Sequence, residues 1–111
     1  MKKIEAIIKP FLLDDLHTAL LERGFVAITV SEIQRFQQLQ IAPIVHQEKI
    51  VPIEVDFRPR LKVELVVKDE DAEEAAAIFQ QSGQANKDAL VIQHLDDVVR
   101  IRTSEHGAIA V

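Results

Sequence analysis

The sequence contains no cysteine, tryptophan or tyrosine, and only three of its 111 residues are glycine. The absence of cysteine excludes disulfide bonds, thiol catalysis and thiolate metal sites. No apolar run approaches the roughly 20 residues that a membrane-spanning helix needs, and no signal peptide is evident. The net charge of −5 at pH 7 and the pI of about 5.3 argue against nucleic acid or an anionic membrane surface as the main partner. We therefore expect a cytoplasmic protein that does not insert into membranes.

The length predicts a single domain, residues 1–111, and the first part of the chain has a β-α-β pattern. Residues 2–9 alternate apolar with charged side chains, which predicts a strand that Pro10 ends. Residues 12–24 have leucines at helical spacing, aspartates near the amino end and a closing glycine, which predicts a helix. FVAITVSEI, residues 25–33, is rich in β-branched residues and predicts a second strand.

The second part repeats this order. RLKVELVV, residues 60–67, alternates strictly and predicts a strand, and residues 68–83 predict a helix with acidic first turns. DALVIQHL, residues 88–95, and VVRIRT, residues 98–103, predict the closing strands. The helix has an apolar stripe formed by Ala72, Ala75, Ala76 and Phe79.

Two such units predict a ferredoxin-like α+β sandwich, (βαβ)2, with both helices on one face of the sheet. The other face carries apolar side chains, Ile7 and Val66 among them, that water would not favour. We expect that face to be buried against sister subunits.

Residues 37–55, QQLQIAPIVHQEKIVPIEV, join the two units and are too many for an ordinary connection. The segment is apolar and nearly palindromic, with IAPIV and IVPIE on either side of a polar tip. A linker would be polar, so we interpret this segment as a binding loop. Its candidate contact residues are Ile41, Ile44, Val45, His46, Glu48, Ile50, Val51 and Ile53.

The predicted last strand places Arg100 and Arg102 on one face, with Val99 and Ile101 on the other. Two neighbouring guanidinium groups repel each other unless water screens them or an anion lies between them. From this stretch alone, a solvated edge and an anion site remain equally open.

The sequence resembles the PII family of nitrogen-regulatory signal-transduction proteins. The resemblance rests on MKKIEAIIKPFLLDDL at the amino terminus, then TVSEI, VDFRPRLKVELVV and VVRIRTSE, in that order and spacing. It implies a homotrimer that binds ATP or ADP in clefts between subunits. It also implies a T-loop, here about 37–55, that docks on a protein target such as a membrane transporter or a metabolic enzyme.

The resemblance also implies roles for individual residues. Arg100 and Arg102 match the paired arginines of the family's C-loop, here about 100–106, which hold nucleotide phosphates from the neighbouring subunit. Thr29 and Glu64 match cleft positions, although Thr29 could simply fill space and Glu64 could pair with Arg60 or Lys62. The expected nucleotide-binding residues are thus Thr29, Arg60, Glu64, Lys87, Arg100 and Arg102.

Two loops depart from the family pattern. The glycine-rich B-loop, TGKIGDGK in the family, is here SGQANKDA at about 82–89, which is shorter and keeps only Gly83. The family's GFGRQ at the base of the T-loop is here residues 35–39, RFQQL, without the glutamine that helps to hold magnesium for 2-oxoglutarate. We therefore expect no 2-oxoglutarate binding by that route, and ADP, AMP, ATP or another anion remains a candidate effector.

Covalent control is not expected, because family T-loops are modified on tyrosine or serine. The chain has no tyrosine, and residues 37–55 contain no serine or threonine. Two further hypotheses stay open: a metal-responsive partner of a transport system, for which His46 and Glu48 are weak ligand candidates, and a ligand-free trimeric scaffold. No nucleophile and base are arranged for catalysis, so we expect a regulator without catalytic residues.

Overall fold

A computed structural model describes residues 1–34, 58–82 and 89–111, which form one antiparallel sheet and two helices. Short 3-10 helices lie at Pro10–Leu12, Asp69–Asp71 and Gly107–Ala110. The strands and helices, in chain order, are β1 (Lys2–Ile8), α1 (Leu13–Glu22), β2 (Thr29–Gln34), β3 (Pro59–Val67), α2 (Ala72–Ser82) and β4 (Val91–His94).

The strand order in the sheet is β2-β3-β1-β4. Each neighbouring pair is antiparallel, so β1 and β2 run parallel with β3 between them. In the same way β3 and β4 run parallel with β1 between them. The two β-α-β units therefore interleave, which confirms the predicted ferredoxin-like arrangement.

The core lies between the sheet and the two helices. β3 supplies its four alternating apolar residues to this side, and β1 adds Ile4 and Ile8. The helices cover these side chains with their apolar stripes, as the helical spacing predicts. The buried core residues are Ile4, Ile8, Leu16, Leu20, Leu61, Val63, Leu65, Val67, Ala72, Ala75, Ala76, Ile78 and Phe79.

β2 starts later than the sequence predicts, because of the way in which α1 ends. The amide of Gly24 donates to the carbonyl of Leu21 and the amide of Phe25 to that of Leu20, each at 3.0 Å. This is a Schellman cap, and Gly24 adopts the positive φ of 88° that it requires. Because the Phe25 amide closes the helix, it cannot join a strand, and β2 begins four residues later than FVAITVSEI predicts, at Thr29.

The opposite face of the sheet holds a charged network among half-buried apolar residues. Lys62 Nζ lies 3.0 Å from Glu5 Oε1 and 3.4 Å from Glu64 Oε1, and Lys3 is 4.0 Å from Glu5. Ile7 and Val66 are half-buried beside this network. The helices do not cover this face, so its side chains meet either water or another molecule.

Candidate functional site

The segment VVRIRT does not form a strand, so the prediction for residues 98–103 is wrong. Val99 makes a single bridge with His106, and the chain turns back on itself at residues 101–103. The amide of Arg100 donates to the Glu105 carbonyl, and the amide of Ser104 donates to the Arg100 carbonyl, both at 2.8 Å. We refer to residues 98–106 as the C-terminal loop.

The two arginines therefore share a loop rather than a strand face. Arg100 Nε donates to the carbonyl oxygen of Ala110 at 3.3 Å, which connects the loop to the last residues of the chain. Arg102 lies at the exposed tip of the turn. Both guanidinium groups remain on the surface, where they could meet an anion from outside the chain.

Thr29 and Glu64 are brought together by the sheet. They are register partners across β2 and β3, so both side chains lie on the face opposite the helices. Both line a cleft of about 240 Å³, which we call the edge cleft. The other residues that line the edge cleft are Ala27, Ile28, Val66, Val98, Ala110 and Val111.

Arg100 is linked to the edge cleft through the Ala110 carbonyl that it contacts. Arg60 does not line the cleft: it is the register partner of Ile33, and its Nη1 donates to the Pro59 carbonyl at 3.2 Å. Arg60 and Glu64 lie four residues apart on one strand, about 13 Å along it. Lys62 lies between them on the same face of the strand and is closer to Glu64 than Arg60 is.

The Glu64–Lys62 pair is present instead. Lys62 is held between two carboxylates, and hydrogen bonds to Glu5 and then to Glu64 raise its pKa above its ordinary value. The lysine thus offsets part of the negative charge of Glu64 at the edge cleft. This matters for an anionic ligand, because an uncompensated carboxylate would repel it.

Sequence reasoning missed two contributors to this region: the carboxylate of Asp97 and the final residues Ala110 and Val111. Asp97 Oδ1 accepts from the amides of Val98 and Gly107, at 2.8 and 2.9 Å. The first contact is a local pattern that aspartate often makes, but the second spans ten residues and depends on the turn between them. The sequence offers no signal for such a contact.

A second cavity, of about 310 Å³, lies between the end of α1 and the start of α2. Its charged lining includes Arg23 and Glu74, which pair at 3.3 Å. It shares Ala27, Val66 and Val111 with the edge cleft. None of the predicted site residues lines this second cavity, so the residues predicted from the sequence point to the edge cleft.

Several predicted residues lie outside the described part of the chain. These are Lys87 of the B-loop, the possible metal ligands His46 and Glu48, and the T-loop positions Ile41, Ile44, Val45, Ile50, Val51 and Ile53. Within residues 1–34, 58–82 and 89–111, no group of three or more side chains is arranged to hold a metal ion. Over the same ranges, no helix is long and apolar enough to cross a membrane.

Comparison with known proteins identifies the family. The family model described as Nitrogen regulatory protein P-II matches residues 1–105. The chain is 42% identical to the nitrogen regulatory protein P-II of Rhizobium meliloti, and 40% identical to those of Rhodospirillum rubrum and Azospirillum brasilense. Each alignment spans 115 positions and covers the whole of both chains. The chain therefore belongs to the P-II family of nitrogen regulatory signal-transduction proteins.

Proposed function

We propose that the protein is a homotrimeric regulator that binds a small anionic effector, an adenine nucleotide, in clefts between its subunits. Binding controls a protein target through residues 37–55, and the protein acts by binding rather than by catalysis. The observation that carries this proposal is the edge cleft, where Thr29 and Glu64 meet the segment held by Arg100. A cleft with a nearby guanidinium group suits a ligand that combines an apolar ring with phosphates.

The uncovered sheet face supports the trimer. Ile7 and Val66 share it with ion pairs whose side chains are only about a quarter exposed, such as Glu5 (21%) and Glu64 (26%). Sedimentation velocity at micromolar concentration should give a species of about three times the 12.5 kDa chain mass. A stable monomer would contradict the trimer, and with it any cleft between subunits.

Nucleotide binding is tested by calorimetry with ATP, ADP and AMP. A charge-assisted hydrogen bond is worth about 1.5–3 kcal/mol, so Arg100→Ala or Arg102→Ala should weaken affinity roughly ten- to over a hundred-fold. Arg23→Ala is the matched control, because Arg23 lines the second cavity and not the edge cleft. A larger loss with Arg23→Ala would place the ligand in that second cavity, and no loss with either loop arginine would favour a solvated edge.

The same titration, repeated with magnesium and 2-oxoglutarate, tests the altered base of the T-loop. Residues 35–39 lack the family glutamine that helps to hold the metal, so 2-oxoglutarate should leave nucleotide affinity unchanged. Binding of 2-oxoglutarate that depends on magnesium and ATP would contradict this expectation. If the wild-type chain binds none of the nucleotides, a ligand-free scaffold becomes the better account.

Target recognition is proposed for the apolar residues of the 37–55 segment, on the basis of the sequence. The double variant Ile44→Asp, Val51→Asp should lose a cellular partner while remaining a trimer. Phe11→Asp is the control, because Phe11 is 70% exposed in the described part of the chain and lies outside the segment. A double variant that stays a folded trimer and keeps its full set of partners would show that this segment is not the recognition element.

A further inference from the structure

The carboxylate of Asp97 lies at the base of the C-terminal loop and contacts both of its ends. Oδ1 accepts from the amide of Val98, where the loop begins, and from the amide of Gly107, just after it ends. We infer that Asp97 is a positioning residue, which closes the loop and thereby sets where Arg100 and Arg102 stand. The inference rests on the proposed function, because it assigns a role in holding the groups that would bind phosphate.

The C-terminal loop depends on such hydrogen bonds because its side chains are not buried. Val99 is 57% exposed and Ile101 is 98% exposed, so the apolar side chains of the loop contribute little. What remains are hydrogen bonds between its two arms, including those of Arg100 with Glu105 and of Gly107 with the Val98 carbonyl. The Asp97 carboxylate adds a charge-assisted bond from the Val98 amide, and it shares the single hydrogen of the Gly107 amide with the Val98 carbonyl.

The contacts of Asp97 also reach the edge cleft. Val98 lines the cleft directly, and Gly107 begins the 3-10 helix that brings Ala110 and Val111 to the same place. Ala110 in turn accepts the hydrogen bond from Arg100 Nε. Asp97 thus joins the two chain segments that form one wall of the cleft, and the guanidinium group of Arg100 is fixed to one of them.

The contact between Asp97 and His106 contributes little to closing the loop. His106 Nδ1 lies 3.6 Å from Asp97 Oδ2, beyond ordinary hydrogen-bond length, and the two side chains are 71% and 50% exposed. An exposed ion pair of this kind contributes little. The two backbone amides, at 2.8 and 2.9 Å, are the contacts that matter.

The test uses the full-length chain and four variants: Asp97→Ala, Asp97→Asn, Asp96→Ala and Arg100→Ala. Asp97→Asn keeps an oxygen that can accept from both amides. Asp96→Ala removes the same charge from the neighbouring exposed position. Two quantities are measured for each protein: calorimetric affinity for ATP and ADP, and amide hydrogen exchange at Gly107, Ser104 and Val63 without ligand.

We expect Asp97→Ala to weaken nucleotide binding about tenfold, because the arginines lose their preorganised position. Asp97→Asn should lose about threefold or less, since a neutral acceptor keeps the geometry with weaker bonds. Asp96→Ala should stay within about twofold of wild type, because solvent and salt screen a charge at an exposed position. Exchange at Gly107 and Ser104 should follow the same order, while Val63 in the core strand β3 stays protected in every variant.

Three results would overturn the inference: an Asp97→Ala affinity equal to that of Asp96→Ala, an Asp97→Asn affinity as weak as that of Asp97→Ala, or unchanged exchange at both Gly107 and Ser104 in Asp97→Ala. If Val63 loses protection in Asp97→Ala, the sheet itself has opened in that variant. The affinity and amide exchange of Asp97→Asn, compared with wild type, then test the inference instead. Failure of the proposed function looks different, since the wild-type chain would then bind no nucleotide or Arg100→Ala would bind as wild type. In that case amide exchange at Gly107 and Ser104, without any affinity, decides whether Asp97 closes the loop.

Discussion

β3 and the C-terminal loop both alternate apolar with charged side chains, but they occupy opposite environments. β3 lies inside the sheet, and its four alternating apolar residues are buried beneath the helices. The C-terminal loop stands at the surface, with Ile101 almost fully exposed. The backbone of β3 stays extended for nine residues, whereas the backbone of the C-terminal loop turns back after its first three.

The difference lies in what each segment has beside it. β3 has an antiparallel partner on each side, β1 and β2, and a layer of helices on one face. Among the residues that the structure describes, the loop forms one strand-like bridge, between its own residues Val99 and His106. Alternation thus produces a strand only where neighbouring strands take up its hydrogen bonds and a second layer buries one of its faces.

The largest expected effect compares the apolar residues of the two regions. Leu65→Ala should lower the free energy of unfolding by about 2–5 kcal/mol, because it leaves a cavity in a packed core. Ile101→Ala should change it by no more than about 0.5 kcal/mol, as for other exposed sites. Urea denaturation of the two variants measures both values, and a comparable loss for Ile101→Ala would mean that the loop is buried in the protein in solution.

The contrast between β3 and the C-terminal loop also shows which parts of the fold the sequence predicts correctly. The predicted order of strands and helices is present as far as β4, as are the buried stripe of β3 and the layer of helices, because local periodicity and burial agree there. The predicted start of β2 is wrong because a helix cap takes the Phe25 amide, and the predicted last strand is wrong because no strand within residues 1–34, 58–82 and 89–111 lies beside it. Periodicity reports which faces a strand would have, but not whether a neighbour exists.

The site was predictable only in part, for a related reason. Thr29 and Glu64 were assigned by resemblance, and the register of the sheet brings them together. Arg100 and Arg102 are expected on one strand face, but the chain turns at residues 101–103, so Arg102 lies in the turn and Arg100 just before it. Asp97 could not be found, because its bond to the Gly107 amide exists only once that turn has formed.

The next-largest expected effect concerns two glycines with positive φ: Gly24, at the end of α1 in the folded core, and Gly107, just after the C-terminal loop. Gly107 has φ of 73° and Gly24 has φ of 88°, and an added Cβ would meet no atom within 4 Å at either position. The cost of alanine is therefore backbone strain, about 1 kcal/mol after the gain from a stiffer unfolded chain. Gly24→Ala, at the capped end of α1, should lower the global free energy of unfolding by that amount.

Gly107→Ala should instead act locally, because the C-terminal loop can open without unfolding the core. Amide exchange at Arg100 and Ser104 should become about fivefold faster, which corresponds to about 1 kcal/mol. Global stability, measured in urea, should change less than it does in Gly24→Ala. If the two glycine variants lose the same global stability, the loop and the core unfold as one unit.

A smaller effect of opposite sign is expected at Ser104, which has φ of 60° although it is not glycine. Ser104→Gly should relieve that strain but add entropy to the unfolded chain, so the net gain should be about 0.5 kcal/mol or less. Exchange at the Arg100 amide should slow by up to about twofold. Faster exchange in this variant would show that the serine side chain, rather than backbone strain, decides the stability of the turn.

The smallest effect concerns the polar face of β3, where Lys62 bridges two carboxylates. Hydrogen bonds to Glu5 and Glu64 raise the folded-state pKa of Lys62 above the ordinary value of 10.5. Such a group adds stability that is fully present below its unfolded pKa and is lost as the pH rises through the folded pKa. Stability from this group should therefore fall on the alkaline side of pH 10.5, and only slightly, because solvent screens the pair.

The chain suits this measurement, because it has no tyrosine or cysteine to titrate in the same range. Urea denaturation from pH 8 to 12 should show a decline that is steeper in the wild type than in Lys62→Met, since only the wild type has this bridge to lose. Lys68→Met is the control: Lys68 forms no ion pair with any residue that the structure describes, so its variant should decline as steeply as wild type. If Lys62→Met keeps the wild-type slope, Glu5 and Glu64 do not hold Lys62 in solution. The charged side chains of β3 would then be as weakly held as those of the C-terminal loop.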